Sequence, residues 1–122
     1  MDIDTALKEA MEIDGALGVS LVDYGSGMSL GSLGGGKYLD LEIASAGNTE
    51  VVRAKMRTLE SLGMQETIDD ILITLGRQYH VIRLVRGQAA SGLFIYLALD
   101  RTKANLALAR HHLKRIEGEL AI

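Results

Sequence analysis

Residues 93–99 read LFIYLAL, an unbroken apolar run closed by Asp100. Successive side chains of a strand point to opposite faces, so a half-exposed strand alternates apolar and polar residues. A run that is apolar at every position needs cover on both faces. The stretch therefore predicts a central strand with helices above and below its sheet.

Upstream of it, 79–85 alternates Tyr79, Val81, Arg83 and Val85 against His80, Ile82 and Leu84. Residues 68–75 alternate more weakly and end at the tight turn GRQ, while RGQAASG (86–92) reads as a longer loop. Nearer the N-terminus, 17–23 is a strand, DYGSG (23–27) a turn, and 28–32 the second arm of a hairpin.

Three segments are helical. Residues 3–14 place Ile3, Leu7, Ala10 and Met11 on one face, with Asp2 or Asp4 as cap and Gly15 as stop. Residues 39–62 form one long helix, capped by Asp40 and stopped by Gly63. Its stripe is Leu41, Ala44, Val51, Val52, Met56, Leu59 and Leu62. Gly47 lies inside it, where glycine costs about 1 kcal/mol relative to alanine; it is either a tolerated cost or the mark of another backbone packed close. The last helix is expected to start at Asp100 or Thr102, with Thr102, Leu106, Ala109, Leu113, Ile116 and Leu120 as its apolar stripe. The basic residues opposite, Arg101, Lys103, Arg110, Lys114 and Arg115, read as solvated surface. The order is α-β-β-α-β-β-β-α, an α+β domain in three layers.

The bulk properties narrow the function. A chain of 122 residues holds one domain, 1–122, with a proper core. Its formal charge of -3 speaks against a nucleic-acid binder. The absence of cysteine removes disulfides and thiolate metal sites and fits a reducing, cytoplasmic setting. The opening MDIDTALKEAMEID is acidic and amphipathic, unlike a secretory signal, and no apolar run approaches the roughly 18 residues of a membrane span.

Two catalytic patterns overlap in GMSLGSLGGGKY (27–38). Gly27 to Gly31 fits G-x-S-x-G, but Ser29 falls inside a hairpin strand, where the sharp strand-to-helix turn of a nucleophile cannot form. Gly31 to Lys37 fits the start of a phosphate loop, yet Tyr38 stands where a small hydroxyl should bind magnesium. Asp40 adds a negative charge beside any phosphate, and the preceding strand is not apolar. The stretch reads as a glycine-rich crossing. His111 and His112 point about 100° apart on a helix and cannot share a metal, and His80 reads as a packed or rim histidine. No catalytic, cofactor or metal site is expected.

The order of segments resembles the roadblock/dynein light chain family along almost the whole chain. GALGVSLVDYGSGMSLG is similar to that family's first hairpin and DLEIASAGNTEVVRAKMRTLESLG to the long second helix of its bacterial members. IDDILITLGRQYHVIRLV resembles strands three and four, and GLFIYLALDRTKANLALARHHLKRIEGEL the fifth strand and closing helix. It most resembles the actinobacterial conservon-type members, associated with Ras-like GTPases and a sensor kinase-like protein. The resemblance implies a five-stranded antiparallel sheet of order 2-1-5-4-3, with one long helix on one face and both terminal helices on the other. It implies a homodimer joined at the third strand and second helix, here through Gly47, Val51, Ala54, Ile68, Ile71 and Ile73. It implies a Ras-like small GTPase as partner, for which Glu50, Arg53, Arg57 and Glu60 are the candidate contacts. The expected role is a cytoplasmic, non-enzymatic regulator or scaffold; a pure scaffold for a sensor kinase complex, and a nucleotide binder using Gly31 to Lys37, are the alternatives.

Overall fold

The structure, a computed structural model, describes residues 1–87 and 92–121. The elements run α1 (Ile3–Met11), β1 (Ala16–Asp23), β2 (Met28–Gly34), α2 (Leu41–Ser61), β3 (Asp70–Thr74), β4 (Gln78–Leu84), β5 (Leu93–Asp100) and α3 (Leu106–Glu119). The strands form one antiparallel sheet in the order β2-β1-β5-β4-β3. Of the loop expected at 86–92, residues 88–91 lie outside the described residues.

β5 is the central strand, and all of Leu93 to Leu99 is buried. Its odd positions, Leu93, Ile95, Leu97 and Leu99, join Ala6, Leu7 and Ala10 of α1 and Ala109, Leu113 and Ile116 of α3 in one core. Its even positions, Phe94, Tyr96 and Ala98, join Leu41 and Val52 of α2 with Ile82 and Leu84 of β4 in the other. One strand thus anchors two cores, as its uniform apolarity requires.

Several boundaries differ from the sequence expectation. α1 ends at Met11, and Gly15 adopts φ +85 beyond a short turn. β2 runs on to Gly34, after which Gly34, Gly35 and Gly36 take φ values of +76, +78 and +149 and turn the chain towards α2. α3 does not start at Asp100 or Thr102. Asp100 ends β5 and turns its carboxylate onto the Thr102 amide and hydroxyl at 2.9 and 2.8 Å, bonds that also lower its pKa. This local turn competes with helix, and α3 begins only where Asn105 caps the Leu108 amide at 3.0 Å.

The face of α2 that meets the sheet also differs. Val51 and Leu62 are exposed, whereas Ser45 and Thr49 are buried with Leu41 and Val52. The two hydroxyls bond back to the carbonyls of Leu41 and Ser45 at 2.7 and 2.8 Å, so they are satisfied inside the helix. Gly18 of β1 lies under the start of α2; a Cβ there would approach the Gly35 amide and the Leu41 side chain to 3.0 and 3.1 Å. Small residues let the layers close.

The basic residues of α3 are not simply solvated. Arg110 makes a two-pronged pair with Asp70 of β3 at 2.9 and 2.8 Å, and Arg115 reaches Glu9 of α1 and its own Glu119. Arg83 of β4 bonds Glu117 of α3 at 3.2 Å with both side chains nearly excluded from water. Removing one member of such a pair strands a buried charge at about 3–5 kcal/mol, whereas replacing both by apolar groups is often neutral. Glu117→Leu should therefore lower the chemical-denaturation midpoint sharply, and the double variant Arg83→Met/Glu117→Leu should recover most of the loss.

Candidate protein-interaction surface

α2 packs on β1 and β2 rather than centrally over the sheet. Thr49 stands over the Gly27 turn of the β1–β2 hairpin. On the opposite flank, the α2 side of β4 and β3 forms an open shelf where Ile71, Ile73 and His80 are half-buried.

The shelf carries a polar string. The Tyr96 hydroxyl lies 3.1 Å from His80 Nδ1, and His80 Nε2 lies 2.7 Å from Gln78 Oε1. The two rings meet edge-on, with centroids 5.3 Å apart. The acceptor amide oxygen of Gln78 requires an N–H at Nε2, and the phenol then donates to Nδ1, an order that fits the neutral imidazole. Burial holds the His80 pKa below its ordinary value of 6.5. Burial also pushes the Tyr96 phenol up to about 12, against the opposing pull of the Asn48 side chain.

The outward side of α2 divides into two sectors. At about 100° per residue, Ile43, Gly47, Val51, Ala54, Thr58 and Leu62 share a sector on the flank above the shelf. Ile43 is 72% and Leu62 64% exposed, and a Cβ added at Gly47 would meet nothing within 4 Å. Among the described residues no other backbone explains that glycine. Glu50, Arg53, Arg57 and Glu60 fill the adjoining sector, all exposed, and among the described residues none of them joins an ion pair.

The structure thus brings Gly47, Val51 and Ala54 onto one flank, with Ile71 and Ile73 on the shelf beside it. Ile68 differs: it precedes β3 and packs with Ile71 against the α2-side core. β3 itself is an edge strand, and its Leu72 is 36% exposed. Sequence reasoning missed the string of Gln78, His80 and Tyr96. Gln78 and His80 are two apart on a strand, hence on one face, but nothing in sequence brings Tyr96 to them.

Asp40 Oδ1 accepts from the amides of Glu42 and Ile43 at 3.0 and 3.1 Å, so its own carboxylate occupies the N-terminus of α2. Ser29 is a strand residue whose hydroxyl bonds the Gly31 carbonyl at 3.1 Å. Among the described residues no group of three or more His, Cys, Asp or Glu could hold a metal, and no helix is long and apolar enough to cross a membrane.

No protein-family model and no curated protein matches the sequence. Solved structures do match the fold. The roadblock/LC7 domain from Streptomyces avermitilis superposes with a TM-score of 0.78 at 12% identity, over 97% of this chain and 93% of that one. The fold is a roadblock fold. Myxococcus xanthus MglB gives 0.74 at 20% identity, over 94% of this chain and 85% of its own. Myxococcus xanthus MglC gives 0.62 at 22%, over 98% and 96%. At these identities the likeness is one of fold.

The polar string predicts an acid-sensitive element. Because the folded-state pKa of His80 is depressed, its neutral form is favoured by folding; that contribution is complete above 6.5 and is lost as pH falls through 6.5 towards the folded value. The thermal midpoint should fall on acidification through this window, and His80→Phe should flatten that part of the profile. An unchanged profile would mean that His80 is not the titrating group.

Proposed function

We propose that this protein is a non-enzymatic regulator or scaffold of a small Ras-like GTPase, acting as a homodimer in a cytoplasmic bacterial signalling complex. The observation that carries the reading is the divided outer face of α2: an exposed apolar sector with open space at Gly47, beside a sector of charges that make no ion pair among the described residues, on a roadblock fold. The likeness to a Streptomyces roadblock domain, MglB and MglC supports placing the chain in that family, whose bacterial members bind such GTPases.

In this reading the apolar sector and the shelf meet a second copy. Gly47, Val51 and Ala54 let two α2 helices cross closely, while β3 joins its counterpart and covers Ile71 and Ile73. An exposed, partly apolar edge strand otherwise invites uncontrolled pairing. The charged sector, Glu50, Arg53, Arg57 and Glu60, then lies beside the helix crossing and is offered to the GTPase. A sensor kinase-like protein is a further partner implied by the conservon likeness and accounts for any recruitment to the membrane.

Gly47 gives a two-sided test of the dimer. With open space around it, Gly47→Ala should stabilise α2 by up to about 1 kcal/mol through helix propensity. Gly47→Leu should fit the isolated protomer equally well yet obstruct a helix crossing, so sedimentation should shift from dimer to monomer. A dimer that persists in Gly47→Leu places the contact elsewhere.

For the partner, reversing both Arg53 and Arg57 to Glu should weaken binding to a Ras-like GTPase by tenfold or more, since each 1.4 kcal/mol is about a factor of ten. Binding measured by anisotropy, with GTP turnover followed in parallel, separates regulator from scaffold. Binding without a change in turnover selects the scaffold; no binding removes the GTPase from the proposal.

A further inference from the structure

β2 is the second edge of the sheet, paired among the described residues only with β1. Its sequence, MSLGSLG, contains no charged residue and no proline, two of the usual guards of an exposed edge, and its one guard is a bulge. Met28 is 68% exposed and Leu30 48%. A bulge interrupts its pairing, since Leu21 is opposite Gly31 while Val22 is opposite Ser29, leaving Leu30 without a cross-strand partner. Strict alternation forbids neighbouring residues from sharing a face. The extra residue lifts that restriction, so Gly31 packs under Leu7 and Ile3 of α1 while Leu30 lines a hollow beside the same helix.

That hollow, about 390 Å³, is bounded by Asp2, Ile3, Asp4, Leu30 and Ala121. Its apolar floor comes from Ile3 and Leu30 and its lining charge from the carboxylates of Asp2 and Asp4, while the Met1 ammonium and Lys8 act on Asp2 from outside the lining. Asp2 caps α1 through Oδ1, which accepts from the Thr5 amide at 2.8 Å, so Oδ2 is not used by the cap. A strand edge without charge or proline and an acidic, apolar-floored hollow therefore lie side by side.

We propose that this edge and hollow form a docking site for an extended segment of a partner protein carrying basic and apolar residues at alternate positions. Strand addition supplies main-chain hydrogen bonds along β2, and side chains two apart on the segment face α1 together. An apolar side chain enters the hollow over Ile3 and Leu30, while a lysine or arginine beside it meets Asp2 and Asp4. A second copy of this chain is the wrong occupant at this edge. MSLGSLG has no basic residue to offer the carboxylates, and two-fold pairing of β2 with β2 sets the two acidic hollows against like charge. The site is independent of the β3 edge and of the GTPase reading.

The probe is a labelled seven-residue peptide with lysine, valine and lysine at its even positions and threonine between, titrated by fluorescence anisotropy against the whole protein. The expected result is saturable, salt-sensitive binding. It should be weakened about tenfold or more by Leu30→Lys and by the double change Asp2→Asn/Asp4→Asn, and be absent for the peptide with glutamate in place of lysine. Asparagine retains the helix cap, so the double change alters charge rather than fold. Leu72→Lys, on the β3 edge, should leave binding unchanged. The proposal is overturned by the absence of saturable binding, by binding indifferent to Leu30→Lys or to the carboxylates, or by equal binding of the glutamate peptide. It is equally overturned if Leu30→Lys instead abolishes a concentration-dependent oligomer, because the edge then belongs to a second copy.

Discussion

Everything in this molecule depends on burying β5 from both sides. Leu97 and Phe94, three residues apart on β5 and so on opposite faces, are each wholly buried, one beneath α1 and α3 and the other beneath α2. Apolar burial is worth about 25 cal/mol per Å², so neither face of such a strand is left to water cheaply. With both faces covered, the flanking strands β1 and β4 need cover only where they adjoin it. The outer strands β2 and β3 are correspondingly more exposed. The sheet grades from a dry centre to two usable edges.

Where α2 sits determines what those edges can do. Its contact face is built from Ser45, Thr49 and Val52 over a stretch of β1 that includes Gly18 and Ser20, small enough for close approach. The helix is thereby drawn towards the β1–β2 half; on the same face Ile82 and Leu84 of β4 are buried, and the part left open is the end of β3 and β4 that bears Ile71, Ile73 and His80. The Ser20 hydroxyl is buried there without a hydrogen-bond partner among the described residues, a local cost of that close contact. The shelf with Ile71, Ile73 and His80 is thus a consequence of small residues elsewhere. A larger side chain at residue 45 or 49 would push the helix outward and alter the shelf without touching it.

The sequence was most legible where one physical demand acted alone. LFIYLAL allowed a single interpretation because double-sided burial has no other signature, and Asp40 with Gly63 bounded α2 to within two residues of its ends. Legibility failed where two demands competed. Asp100 has the chemistry of a helix cap, yet its side chain serves a turn with Thr102, and Lys103 and Ala104 pass before Asn105 caps α3. The stripe of α2 was misjudged because burial there favours small hydroxyl residues over large aliphatic ones; Val51 and Leu62 were assigned to the core on size and belong to the surface. The candidate surface was readable residue by residue along α2, since helical geometry fixes which positions share a side. The contribution of Tyr96 was not, because the strand register that sets it beside His80 exists only in the folded sheet.

The charges of α3 illustrate how a surface can hold an architecture. Arg110 reaches β3 through Asp70, Glu117 reaches β4 through Arg83, and Arg115 reaches α1 through Glu9. Exposed pairs contribute little individually, but these connect one helix to three separate elements, and the Arg83–Glu117 pair is buried. Their effect is to fix the azimuth of α3, which the apolar stripe of Ala109, Leu113 and Ile116 alone would leave free to roll. Asp70 is the point at which this matters for interaction: it opens β3, so the pair with Arg110 ties the edge strand to the layer behind it. An edge anchored from behind can present its other face and its free backbone groups without peeling from β4. That is the condition an edge strand must meet before it can serve as an interface at all.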